Sequence, residues 1–295
     1  SLHDALPIYE HILGEVATDK ATREAFSHDA SVVSIVPEMV VYPRVTNDIR
    51  KIARFSWQLA DKGHTLPLTV RGGGSDTTGG SIGKGVIVNT TAHMNTIFEL
   101  DAKQRLIRLQ PGVTFKTLND ALALHGLQVP SYPASASYST IGGAIATNAS
   151  GVLSGKYGGT ASWVNQLEVV LANGDVLQTG RISKRDLNRK KGLQTFEGEI
   201  YRQIDNLITD NPEAIGKIAN DVRDNAGYSG IADVKRRDGS FDLAPLFAGS
   251  QGTLGIISEV IMKAELLTLK QTVVLALFES LEQARDAIDR KSTRL

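Results

Sequence analysis

The run Val70-Arg71-Gly72-Gly73-Gly74-Ser75-Asp76-Thr77-Thr78-Gly79-Gly80 holds the densest set of groups suited to an anion. Three consecutive glycines bury nothing and cost conformational entropy, so their usual service is to let backbone N–H groups approach a ligand. Successive N–H groups in such a turn form an electropositive concavity that suits phosphate. Arg71, Ser75, Thr77 and Thr78 add donors. The chemistry implied is a pyrophosphate cradle; the competing reading is a solvated surface loop.

A second stretch, Pro133 to Gly151, consists almost wholly of small residues around Thr140-Ile141-Gly142-Gly143 and Asn148-Ala149-Ser150-Gly151. A packed core needs side-chain volume, and this stretch supplies little. It suits a large flat ligand against the backbone, with Thr140, Asn148 and Ser150 as polar handles. Close packing between helices is the alternative. A third glycine-punctuated turn, Gly249-Ser250-Gln251-Gly252-Thr253-Leu254-Gly255, runs into the apolar segment Ile256-Ile257.

Other chemistries are disfavoured. The chain has no cysteine, which removes disulfides, thiolate metal sites, a cysteine nucleophile and an iron–sulfur cluster from this stretch. Its histidines (His3, His11, His28, His64, His93 and His125) show no ligand spacing, and no metal site is expected. A P-loop needs a Gly-Lys-Ser/Thr ending, which Gly83-Lys84-Gly85 does not provide. The dinucleotide fingerprint Gly-x-Gly-x-x-Gly fits Gly72 and Gly74 but meets Thr77 at its third glycine.

The elements that must position these stretches read as a mixture of strands and helices. Residues 9–35 place Ile12, Leu13, Val16 and Phe26 at helical spacing. Val40–Tyr42 reads as a strand closed by Pro43, and Thr46-Asn47-Asp48 supplies N-terminal chemistry for a helix reaching Leu59. Leu66–Val70 is a strand delivering the glycine loop, and Gly85–Asn89 is another. Ile97–Leu100 and Arg105–Leu109 read as a hairpin, followed by a helix near Thr117–His125. Asn173-Gly174 between Leu167–Leu171 and Val176–Thr179 is a strong hairpin signal. Residues 181–245 are mostly helical in pattern, with Lys184–Lys191 read as a solvated loop. Ile257–Met262 and Val273–Phe278 read as strands, and Ser280–Ile288 as a helix.

Within 295 residues, 41% are hydrophobic and 22% charged, close to soluble globular averages. Thirty-two basic side chains balance 32 acidic ones, so net charge offers no footprint for nucleic acid or an anionic membrane. No apolar run of about 18 residues is present to span a bilayer. Ser1–Ile8 and Asp289–Leu295 can be back-translated into the end and the start of paired sequencing adapters. On that reading residues 1–8 and 289–295 are artefacts, and the protein is expected to continue past both ends.

Taken in order, these stretches resemble the FAD-binding domain of the vanillyl-alcohol oxidase and para-cresol methylhydroxylase (PCMH) superfamily. Within it they are similar to the FAD-linked oxidases that include D-lactate dehydrogenase and the glycolate oxidase flavin subunit. The resemblance covers roughly residues 38–265 and rests on Pro43, Arg71–Gly80, Thr140–Gly151 and Gly249–Gly255, with the Asn-Gly-Asp hairpin between the last two. It implies an α+β fold: an N-terminal helical segment over 9–37, two α+β subdomains at about 38–110 and 111–266, and the start of a cap domain over 267–288. FAD would extend between the subdomains. Arg71, Gly72, Gly73, Gly74, Ser75 and Asp76 would hold its pyrophosphate. Pro133, Thr140, Gly142, Gly143, Asn148 and Gly151 would line the isoalloxazine and ribityl chain, and Ile256 and Ile257 the adenosine. Members that bind FAD covalently through this loop carry histidine where Ser75 stands, so the expected FAD is non-covalent.

The activity implied is an FAD-dependent oxidoreductase taking a hydride from a small 2-hydroxy acid of the D-lactate or glycolate type. No catalytic residue is assigned; the base is expected in the cap region. The electron acceptor is unassigned, an iron–sulfur partner or fused module is compatible, and the expected location is cytoplasmic or peripheral at a membrane. Two alternatives stay open. One is an FAD-holding scaffold or electron relay without its own substrate site. The other is an oxidase of the same fold acting on a sugar acid, lactone or other alcohol.

Overall fold

The computed structural model describes residues 11–220, 227–268 and 274–292. Strands β1 (Glu15–Ala17), β2 (Met39–Tyr42), β3 (Leu68–Arg71) and β4 (Val86–Asn89) form one sheet in the order β1-β2-β4-β3. β4 runs parallel to both β2 and β3. Its Val86, Ile87 and Val88 are fully buried, as suits a central parallel strand covered on both faces. The Thr46–Asp61 helix crosses from β2 to β3 and buries Ile49, Ile52 and Ala53. Val45 occupies its N-cap without a side-chain bond. The expected N-terminal chemistry comes instead from Asp48, whose buried carboxylate accepts the N–H groups of Arg44 and Leu13, each at 2.9 Å.

The second sheet is antiparallel. It contains β5 (Ile97–Asp101), β6 (Leu106–Leu109), β8 (Val164–Val170), β9 (Val176–Gln178) and β10 (Ile256–Lys263), in the order β5-β6-β10-β8-β9. A short pair, β7 (Leu127–Gln128) with β11 (Glu265–Leu266), lies apart from it. β10 is central, with Val260 opposite Leu109 on one side and Leu167 on the other. Helices Phe115–Ala123 and Ile141–Ala146 bring Phe115, Leu118, Leu122, Ile141 and Ile145 into the same apolar core. The β8–β9 turn has Gly174 at φ 81°, in the left-handed region the Asn-Gly signal anticipates. The architecture is thus α+β, with the parallel and antiparallel sheets in different stretches of chain. Among the described residues no helix is long and apolar enough to cross a membrane.

Several local expectations change. The helical pattern over 9–35 resolves, within its described part, into strand β1 and a short helix, Lys20–Ala25. Val16 pairs opposite Val41, because the otherwise open edge of β2 offers backbone groups that outweigh local periodicity. The hairpin β5–β6, expected with residues 38–110, pairs with β10 in the second sheet, so strand pairing divides the chain after β4 rather than near 110. Lys184–Lys191 is a helix, not a loop. The Ser183 hydroxyl caps it by accepting from Asp186 N, Leu187 is buried, and Lys190 and Lys191 reach Glu197 and Asp205. Across the expected strand Val273–Phe278, the described residues 274–278 have no regular structure, and Val273 lies outside the described residues. So do residues 1–8 and 293–295 of the two terminal segments; the expected C-terminal helix is Leu281–Ser292.

Removing the Asp48 carboxylate leaves two backbone donors without their acceptor. Asp48→Ala is therefore expected to lower unfolding free energy by about 1–3 kcal/mol, read as an earlier midpoint in urea.

Candidate functional site

A cleft opens where β3 ends. One wall is the loop Gly72–Thr77 with Gly80 and Ser81; the other is Pro133, Ser135, Ser139, Thr140 and the Ile141–Ala146 helix with Thr147. Phe247, Ser250, Gln251, Gly252, Gly255 and Ile257 close its end. The three stretches singled out by residue type are thus brought together, although they lie far apart in sequence. Of the candidate residues, Gly72, Gly73, Gly74, Ser75, Asp76, Pro133, Thr140, Gly142, Gly143 and Ile257 line the cleft.

Four candidates do not line it. Ile256 packs into an apolar cluster with Ile49 and Val170. Asn148, at φ 47°, turns its Oδ1 toward Ala161 N at 3.0 Å and serves the chain's own geometry. At Gly151 a Cβ would lie 1.9 Å from the Tyr132 carbonyl oxygen, so this glycine permits a backbone crossing. The Arg71 guanidinium sits behind the loop against the Phe26 ring.

Donor accounting locates the anion-binding potential. Among the described residues, the N–H groups of Gly72, Gly73, Gly74, Ser75, Asp76 and Thr77 donate to no protein acceptor. These residues are half-buried or exposed, so the donors are open to water or to an anion in the cleft. The start of the Ile141–Ala146 helix offers no comparable array. Ile141 N and Gly142 N donate to the carbonyls of Val113 and Pro111, each at 2.8 Å, and Gly143 N to Thr140 Oγ1 at 3.3 Å. Asp76 lines the cleft and commits one carboxylate oxygen to the loop itself. Its Oδ2 accepts from Gly80 N at 2.7 Å, Thr78 Oγ1 at 2.7 Å and Thr78 N at 3.1 Å, which folds the loop and partly neutralises its charge.

The glycines answer to the chain as well as to a ligand, which corrects the view that they have no packing value. A Cβ on Gly73 would lie 2.1 Å from the Tyr138 carbonyl oxygen, and one on Gly72 would lie 2.1 Å from Thr140 Oγ1. The two walls therefore touch backbone to backbone. Beside that contact Ser75 Oγ meets Ser139 Oγ at 3.1 Å, and Ser139 Oγ meets Ser135 Oγ at 2.7 Å. In the small-residue stretch both anticipated uses occur. Gly142 packs on Pro111, where a Cβ would be 2.6 Å from the proline Cβ, while Gly143 is exposed on the cleft side.

The sequence reading missed Ser135, Ser139, Gln251 and Gly252 as cleft residues. The Gly249–Gly255 motif was the available signal for the last two: Gly252 is left-handed at φ 77° with nothing within 4 Å of a Cβ. The serines carried no signal in residue type alone. No grouping of histidine, aspartate and glutamate able to hold a metal occurs among the described residues.

A family profile described as an FAD binding domain matches residues 37–180. The chain is 34% identical over 273 residues to a D-2-hydroxyglutarate dehydrogenase of Pantoea ananatis, covering 92% of this chain and 26% of that protein. It is 33% identical to the glycolate oxidase subunit GlcD of Bacillus subtilis, covering 91% of this chain and 46% of that protein. The chain thus spans a quarter to a half of the length of these relatives. Among solved structures, an alkyldihydroxyacetonephosphate synthase superposes with a TM-score of 0.63 at 18% identity, covering 92% of this chain and 41% of that one. The cleft fits the cofactor named by the profile: unpaired donors for a diphosphate lie beside a wall of small side chains open to a flat ring system.

Gly143→Leu is expected to fill the cleft while leaving the fold intact, so flavin content falls with an unchanged far-UV circular dichroism spectrum. Gly73→Ala instead forces the two walls apart and is expected to lower both flavin content and stability, by about 1–3 kcal/mol in denaturant unfolding.

Proposed function

We propose that this chain, an FAD-binding domain of the vanillyl-alcohol oxidase and PCMH superfamily, is the flavin-holding part of a dehydrogenase that oxidises a small D-2-hydroxy acid. The observation that carries the cofactor assignment is the row of unpaired N–H groups from Gly72 to Thr77 at the cleft wall. These donors take the two phosphates, as backbone nests do elsewhere. Gly143, Ala146 and Thr147 leave the opposite wall low enough for the ring system. FAD, when bound, supplies a hydride acceptor for a carbon bearing a hydroxyl group. The substrate class rests on the printed activities of the relatives, which include D-2-hydroxyglutarate dehydrogenases, a glycolate oxidase subunit and D-lactate dehydrogenases.

Attachment is non-covalent in this reading. No histidine, cysteine or tyrosine lines the cleft among the described residues, and the Ser75 hydroxyl is engaged with Ser139. The proton acceptor for the substrate hydroxyl comes from outside this cleft, since its only carboxylate among the described lining residues, Asp76, is bonded to its own loop. Residues 267–288 are read as the start of a substrate-covering segment. Exposed Val274, Leu275, Leu277 and Leu281 support this, as apolar side chains on the surface of the described structure.

Two measurements test the proposal. The purified protein should show a visible flavin spectrum, and acid precipitation should release the flavin into the supernatant. Flavin kept in the pellet would contradict the non-covalent assignment. Anaerobic addition of D-2-hydroxyglutarate, D-lactate or glycolate should then bleach the visible band. A flavin that binds but is bleached by none of them, while dithionite reduces it, would favour the scaffold or relay reading.

A further inference from the structure

The loop that offers its N–H groups to the cleft is braced from behind by residues 26–35. The Ala30 N–H donates to the Gly74 carbonyl at 3.1 Å, and the Ser81 hydroxyl donates to Asp29 Oδ2 at 3.1 Å. Asp29 Oδ1 accepts from Ser31 N at 2.9 Å, and Ile35 N donates to the Ser27 carbonyl at 2.9 Å, which closes the strap on itself. Val33 rests against Gly79, where a Cβ would find its methyl group at 3.4 Å.

Arg71 lies between strap and loop. Its guanidinium is 5.2 Å from the Phe26 ring centroid, a cation–π distance, and Phe26 is itself held edge-on by Tyr42. A Cβ on Gly74 would be 2.5 Å from Arg71 Nη2, so the cation is tucked directly beneath the loop backbone. Burial pulls its pKa below the ordinary arginine value, while the charge of Asp29 acts in the opposite sense. Among the described residues no carboxylate oxygen lies within 4 Å of this guanidinium. Its Nη1 donates to the carbonyl oxygen of Ser81, a cleft residue, at 3.5 Å. Here the ring face offsets part of its desolvation, and the guanidinium is not among the groups that line the cleft, whereas the loop residues Gly72 to Thr77 are.

We infer that Arg71 is a positioning residue that holds the Gly72–Thr77 loop on the Phe26 strap and supplies positive charge beneath it for a diphosphate, without touching that diphosphate. This rests on the reading of the cleft as an FAD site and adds to it a division of labour. The backbone donors bind the phosphates, and the buried cation sets the potential and the loop shape that make them effective. Both the charge and the planar stack are needed, so lysine substitutes only for the charge.

The test measures FAD dissociation constants by flavin fluorescence at low and high salt for the wild type, Arg71→Met, Arg71→Lys and Phe26→Leu. Circular dichroism establishes that each is folded. Arg71→Met is expected to weaken FAD about tenfold at low salt, with the gap to wild type narrowing as salt screens the charge. Arg71→Lys is expected to regain the wild-type salt dependence but only part of the affinity. Phe26→Leu is expected to weaken binding while keeping that salt dependence, because the charge remains. Equal weakening by Met and Lys at every salt concentration would overturn the electrostatic role and leave Arg71 a packing residue. Unchanged affinity in all three variants would overturn the positioning role altogether. Failure of the folded wild type to bind FAD would overturn the cleft reading itself, an outcome distinct from a variant effect.

Discussion

The cleft depends on one close contact, the backbone of Gly72 and Gly73 laid against Tyr138 to Thr140. Distances near 2.1 Å to a Cβ that glycine lacks mean that no other residue permits this approach without displacement. The contact joins a loop issuing from the parallel sheet to a segment that leads into the Ile141–Ala146 helix, whose Ile141 and Ile145 pack in the core beside the antiparallel sheet. It therefore places the phosphate-type donors of one wall beside the small residues of the other. The hydroxyl chain Ser75–Ser139–Ser135 sits next to it and adds polar links across the same seam. Cofactor space and the junction between the sheets are built by the same few atoms.

Electrostatics follows from that geometry. The residues that carry the unpaired backbone donors line the cleft, and the one carboxylate among the described lining residues, on Asp76, accepts three hydrogen bonds from its own turn. Arg71 completes the arrangement from behind the loop rather than from within the cleft. The recess thus takes its donors from the backbone, with Asp76 the one charged side chain among its described lining residues. Dipoles fixed by the fold need no reorganisation when an anion arrives, which is the advantage of backbone recognition. The helix beginning at Ile141 plays a different part: its first donors are already satisfied by Val113 and Pro111, and its contribution is a low wall.

The division of labour also accounts for what the cleft lacks. Its described lining holds no histidine, cysteine or tyrosine, and its one carboxylate, on Asp76, is bonded to its own loop. The chain spans 26% of the Pantoea ananatis dehydrogenase and 46% of the Bacillus subtilis subunit.

Residue type and order alone determined the glycine loop, the small-residue stretch, the third glycine turn and the Asn-Gly hairpin. Each reflects a local requirement: a left-handed backbone, a missing Cβ or a turn type. Local requirements are written in the residues that meet them. The strand Leu68–Arg71 and the helix Thr46–Asp61 were legible for the same reason, through apolar periodicity and the flanking polar residues. Only the tertiary structure decided which partners those residues meet. Val16 joins a strand because β2 has an open edge, and the hairpin β5–β6 joins the second sheet because β10, far along the chain, lies beside it. Asn148, Gly151 and Ile256 serve internal packing, while Ser135 and Ser139 reach the cleft, and nothing in their identities distinguishes the two outcomes. Arg71 shows the limit most directly. Its type announced an anion contact, but its guanidinium packs on the Phe26 ring and against the Gly74 backbone and does not line the cleft. Long-range contacts decide such matters because the side a residue faces depends on what packs against it, and that information is spread over the whole chain.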